Sequence, residues 1–123
     1  MEYASNQTIL QFFKAGGGFP EEVTKFFFMQ IIYAVEYIHS KGYAHMDLKL
    51  NNIMLDEFFN IWIGDFGSVL KVEKEGLTSK KRGTQNYMAP EIKECKGSSW
   101  SQFNALKADV YSLGVCLFVL LYK

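Results

Sequence analysis

The chain closes on an almost unbroken apolar run, Val110 to Tyr122. At 13 residues it is well short of the roughly 20 needed to cross a bilayer. A helix this short and apolar all round belongs inside a protein core. The other residues must therefore fold around it. The chain has only 123 residues, of which 49% are hydrophobic and 16% aromatic, with 11 Phe, 7 Tyr and 2 Trp. A domain of this size buries only about two thirds of its unfolded surface. So many large apolar side chains strain the capacity of such a core.

Charge narrows the function classes. Thirteen Lys plus Arg balance 13 Asp plus Glu. A disordered or acidic tail is excluded by the apolar content and the zero net charge. Bulk nucleic-acid binding is disfavoured, because no basic surplus exists to neutralise phosphates. Met1-Glu2-Tyr3-Ala4 has no basic region leading into an apolar stretch, so no signal peptide is read there. Cys95 and Cys116 form no close pair and read as free thiols in a reducing compartment. The expectation is an intracellular location, cytoplasmic or nuclear, with no nucleic-acid or membrane partner.

Local patterns give the organisation. Thr8 to Lys14 reads as a short helix, broken by Gly16-Gly17-Gly18. Pro20, Glu21 and Glu22 suit a helix start. Val23, Phe27, Ile31, Ala34, Val35 and Ile38 then recur at helical spacing, and Lys41-Gly42 closes a helix of about 20 residues. Ile53-Met54-Leu55 and Asn60-Ile61-Trp62-Ile63 flank Asp56 and Glu57 as a small β-hairpin. Gly64 to Gly83 is polar and reads as a mobile loop. Pro90-Glu91 opens a short helical stretch, Gly97-Ser98-Ser99 is a loop, and the last helix is expected to start near Ala108.

Four polar elements lie on this frame in a fixed order. His45 to Asn52 places Asp47 and Asn52 five apart before the hairpin. Asp65-Phe66-Gly67 follows its second strand, Gly83-Thr84 to Ala89-Pro90-Glu91 follows the polar loop, and Asp109 to Gly114 opens the apolar helix. A hairpin would converge Asp47, Asn52 and Asp65 on one spot. Two carboxylates and an amide carbonyl make an all-oxygen environment suited to Mg²⁺ and its phosphate ligands. Lys49 would return to the same side, within reach of a transferring phosphate. Singly, each element is bland: Asp-Phe-Gly is a common turn, and His45 alone reads as a packed, hydrogen-bonded histidine. Their joint order is not.

In that combination the chain resembles the eukaryotic protein kinase family, of the serine/threonine type. The resemblance runs over residues 1–123, from the hinge to the large central helix of the C-terminal lobe. It implies an α+β fold, the mainly helical C-lobe of a kinase with a small β-hairpin at the catalytic loop. It also implies a partial domain, with the N-lobe and the last C-lobe helices absent. By this resemblance Asp47 accepts the proton of a protein hydroxyl and Lys49 contacts the γ-phosphate of ATP. Asn52 and Asp65 hold Mg²⁺. Glu2 and Ala4 of the hinge bond adenine through their backbones, and Met54 forms an apolar floor beneath it. Thr84 bonds toward Asp47 and Lys49, Asp109 anchors the catalytic loop from below, and His45 stacks with Phe66.

Departures from the family pattern carry their own expectations. Met46 replaces the Arg that usually pairs with a phosphorylated loop, and Lys80 replaces the usual phosphorylated hydroxyl. Activation without loop phosphorylation follows. Leu50-Asn51 replaces the common Pro-Glu, and Thr8 stands where a second acid often sits, which disfavours a strongly basic substrate. No Gly-rich loop or strand-borne Lys precedes Met1, so the chain alone is expected to be inactive, needing a partner or missing lobe over the Val110–Tyr122 helix. A non-catalytic kinase-like interaction module is the second reading. A small-molecule kinase of the aminoglycoside or choline type ranks last, because such enzymes lack the Gly-Thr…Ala-Pro-Glu segment.

Overall fold

The computed structural model describes residues 7–73, 75–97 and 101–122. Helix α1, Ile9–Ala15, starts at Thr8, whose hydroxyl accepts from the Gln11 amide while the Gln11 side chain accepts from the Thr8 amide. This reciprocal cap satisfies two amides that a helix start otherwise leaves unbonded. Helix α2, Glu21–Ser40, follows Pro20 and carries Glu21 and Glu22 in its first turn. Gly42, at φ 85°, lets the chain reverse where another residue would strain. Thr24, Phe27, Ile31 and Val35 form the buried stripe of α2. Phe27, Ile31 and Val35 meet Ile9 and Phe13 of α1 and Leu113, Cys116 and Leu120 of the last helix in the main core.

Strands β1 (Tyr43–Ala44), β2 (Ile53–Leu55) and β3 (Ile61–Ile63) follow α2. β2 and β3 pair antiparallel with Ile53 opposite Ile63 and Met54 opposite Trp62, as the sequence suggests. Asp56 organises the turn between them. Its carboxylate accepts from the Phe58 and Asn60 amides, the Asn60 side chain and the Trp62 indole.

The stretch from Gly64 to Gly83 is not simply a loop. It contains β4 (Leu70–Lys71), paired with β1, and β5 (Leu77–Thr78), paired with β6 (Phe103–Asn104). Each pairing spans two residues and takes its partner from far along the chain, so no local alternation announces it. A second core of Ala44, Met46, Leu70, Ala89, Ile92 and Phe103 lies beneath these pairs. Helix α3, Pro90–Glu94, has Pro90 in its first turn as expected. Of the expected loop Gly97-Ser98-Ser99, only Gly97 is among the described residues.

The last helix, α4, spans Ala105–Tyr122 and begins three residues before the expected Ala108. The Asn104 carboxamide accepts from the Lys107 amide and caps it. At 18 residues, α4 is long and apolar enough to cross a membrane by length and composition alone. Its inner face is nevertheless built into the protein through Asp109, Ser112, Leu113, Cys116 and Leu120. Burial pushes the Cys116 thiol up to about 12, and both cysteines are free. The outer face of α4 is bare: Phe118 is 61% and Tyr122 71% exposed, with Val110 and Tyr111 beside them. Phe13 packs edge to face on Phe19, and Phe19 packs at a tilt on Phe27 inside, but Phe26, Tyr33, Tyr37 and Phe58 remain at the surface. The core cannot hide the aromatic load.

Burial alone would push the Asp56 carboxyl up. Hydrogen bonds from the Asn60 backbone, the Trp62 indole, the Asn60 side chain and the Phe58 backbone outweigh it, and lower the group from 3.8 to about 2. The charged form therefore supports the turn fully above pH 3.8, and that support is lost as pH falls through about 2. NMR titration of the Asp56 side-chain carbon should give a midpoint near 2, tracked by the Trp62 indole proton. A midpoint at the ordinary carboxylate value would contradict this turn.

Candidate active site

Residues 45–52 cross over the start of α4, and Asp109 is the reason they hold one shape. It is 1% exposed. Its Oδ2 accepts from the His45 amide and from His39 Nε2, each at 2.8 Å, and its Oδ1 accepts from the Met46 amide at 3.0 Å. Met46 sits at φ 72°, a left-handed conformation that costs a non-glycine residue about 1–3 kcal/mol. The two amide bonds to Asp109 and the burial of the Met46 side chain in the second core hold it there.

His45 ties this loop to the hairpin. Its Nδ1 accepts from the Asp47 amide at 3.1 Å, so Nε2 carries the proton donated to the Gly64 carbonyl at 2.9 Å. The Gly64 amide in turn donates to the Asn52 carbonyl at 2.8 Å. Asn52, just before β2, and Asp65, just after β3, are thereby brought to the same end of the hairpin. The Phe66 ring meets His45 at 5.1 Å and 61°, so the two rings pack against each other through an edge contact. Edge-to-face geometry suits a ring whose positive rim meets a π face.

Asp47, Lys49 and Thr84 meet directly. The Thr84 hydroxyl donates to Asp47 Oδ1 at 2.7 Å and accepts from Lys49 Nζ at 2.8 Å. Lys49 Nζ is 3.9 Å from Asp47 Oδ2, and the two side chains are 23% and 15% exposed. They are thus held, yet reachable by a substrate. Asn52 Nδ2 donates to the Asp47 carbonyl at 2.8 Å. This commits the amide nitrogen and leaves the amide oxygen as the ligand end.

Asp65 is exposed at φ 54°, and its Oδ1 accepts from the Gly67 amide at 3.3 Å. One carboxylate and one amide oxygen make a thin metal site. No cluster of three or more acidic, His or Cys side chains occurs among the described residues. That donor set fits Mg²⁺, which takes one or two protein ligands and fills the rest with water and substrate phosphates. Met54 is half-buried on β2, its side chain lying over Gly64, where any Cβ would collide with the Met54 methyl. Glu2 and Ala4 lie outside the described residues. His39 was not singled out from sequence. It reaches Asp109 across 70 positions, which no spacing rule reveals.

Comparison with known proteins decides the family. The protein kinase domain model matches residues 1–123. The chain belongs to the eukaryotic protein kinase family. Among its relatives, CBL-interacting protein kinase 31 of Oryza sativa subsp. japonica is 40% identical over 98% of this chain and 26% of its own length. CBL-interacting protein kinase 11 of the same plant is 41% identical over 98% of this chain and 24% of its own. CBL-interacting serine/threonine-protein kinase 3 of Arabidopsis thaliana is 38% identical over 98% and 27%. The chain therefore spans about a quarter of the length of the curated relatives it matches.

Gly83 marks where the segment after Asp65 returns to the loop bearing Asp47. It sits at φ 119°, and a Cβ there would lie 2.7 Å from the Met46 carbonyl oxygen. Neither backbone can yield without moving the adjoining Asp47–Thr84 bond. Gly83→Ala should destabilise the protein by about 1–3 kcal/mol, read as a lower urea midpoint. An unchanged midpoint would show that this approach is not tight.

Proposed function

We propose that this chain carries the phosphoryl-transfer site of a serine/threonine protein kinase, which moves the γ-phosphate of ATP to a protein hydroxyl. The observation that carries the reading is the Asp47–Thr84–Lys49 cluster, where one hydroxyl bonds a carboxylate and an ammonium at once. Such a transfer needs positioning and charge neutralisation more than covalent chemistry. Asp47 orients the substrate hydroxyl and accepts its proton through Oδ2, the oxygen not bonded to Thr84. Lys49, held beside it by Thr84, offsets negative charge on the phosphoryl group. Asn52 and Asp65 are the residues that would hold Mg²⁺, which when bound neutralises charge across the phosphate oxygens. Met54 offers an apolar surface to the adenine, and Glu2 and Ala4 are the proposed backbone partners of its edge.

Neutral Asn51 and Thr8 support a substrate that is not strongly basic. The protein substrate, ATP and an intracellular location are part of this proposal, with no nucleic acid or membrane involved. The bare outer face of α4 supports a further point: polypeptide beyond these 123 residues, or a partner, covers it in the working kinase. That same face favours the second reading, a non-catalytic kinase-like module that binds through apolar surface.

Asp47→Asn separates the two readings. In the kinase-length protein it should lower transfer to a peptide by on the order of 10²–10⁴-fold while leaving the fold intact by circular dichroism. Retained activity would overturn the assignment of Asp47. The isolated 123-residue chain should show negligible transfer, and robust Asp47-dependent activity from it would contradict the need for more polypeptide.

A further inference from the structure

Arg82 stands two residues before Thr84, and the reaction as described gives it no part. Its Nη1 donates to the Val69 carbonyl at 3.1 Å and to the Ser68 carbonyl at 3.3 Å. Those carbonyls close the turn that Asp65 caps, and β4 begins at the next residue. One half-buried guanidinium thus joins the two ends of the 64–83 segment, the end beside Asp65 and the end beside Thr84. Arginine is always charged, and its bonds to carbonyls are charge-assisted and directional. Among the described residues no carboxylate pairs with Arg82.

The surroundings give this tie its weight. Met46 packs in the apolar cluster with Leu70, Ala89 and Ile92 and offers no charge to hold the segment. Gly83 lies against the Met46 carbonyl, so a shift of Arg82 passes directly to Gly83 and Thr84. Thr84 sets both Asp47 and Lys49.

We propose that Arg82 is a positioning residue for phosphoryl transfer: by bonding the Ser68 and Val69 backbone it holds Thr84 on Asp47 and Lys49 without any phosphate on the 64–83 segment. The proposal rests on the kinase reading above. Arg82 does not touch the reacting atoms and acts through Thr84.

The test combines hydrogen exchange over residues 66–72, read without nucleotide, with peptide-kinase assays of the kinase-length protein. Arg82→Met keeps the length and removes both bonds. It should speed exchange over 66–72 and lower kcat about ten- to a hundredfold, with KM and the thermal midpoint little changed. Arg82→Lys, keeping the charge without the fork, should recover part of kcat. The double variant Thr78→Ala, Ser79→Ala should retain activity after phosphatase treatment. Unchanged exchange in Arg82→Met overturns the tie. A fall in activity that only follows loss of folded protein overturns the positioning role, and loss of activity in the double variant overturns independence from phosphate. A wild-type protein that transfers no phosphate overturns the kinase reading itself, and with it the catalytic part of Arg82, whereas the exchange result is scored separately.

Discussion

A buried carboxylate holds this structure in a working shape. Asp109 sits on α4, yet its hydrogen bonds go to the His45 and Met46 amides and to the His39 ring. Without those acceptors, two amides would be buried without partners, each costing about 1–3 kcal/mol, and the partly exposed His39 ring would lose its carboxylate. Three residues along α4, Ser112 donates to the Tyr87 carbonyl at 2.7 Å. One face of an otherwise apolar helix therefore fixes both the loop bearing Asp47 and the turn that follows Thr84. The polar pair explains why a greasy helix supports a precise site.

From Asp109 the order passes outward in short steps. His45 carries it to Gly64, and Gly64 carries it to Asn52, so both ends of the hairpin register against the loop. Met46 accepts an unfavourable φ because two directions of constraint meet on it. Asp47 and Lys49 lie at the rim of this network, partly exposed, whereas His45 and Asp109, which hold their loop, are buried. Such a division suits the proposed transfer, which tolerates little misplacement.

Much of the fold was legible in the sequence. The α2 stripe from Phe27 to Val35, the Gly42 stop and the β2–β3 hairpin all follow from local periodicity and turn chemistry. The β1–β4 and β5–β6 pairs were not legible, because two-residue strands carry no alternation and their partners are remote. The start of α4 was misplaced because its cap, Asn104, sits at the end of β6, where sequence alone reads no helix. In the site, Asp47, Lys49, Asn52, Asp65 and Thr84 stood out by order and residue type. His39 and Arg82 did not, since each acts through a contact created only by the tertiary fold. The aromatic excess was legible as a problem, and its answer is surface exposure, of Phe26, Tyr33, Tyr37 and Phe58 as well as of the outer face of α4.

Amide exchange at His45 and Met46 tests the central claim most directly. If Asp109 organises the loop, both amides exchange slowly in the wild-type protein, and Asp109→Asn, with one acceptor oxygen instead of two, releases at least one of them. Fast exchange at both in the wild-type protein, at the rate of an open loop, would contradict the account.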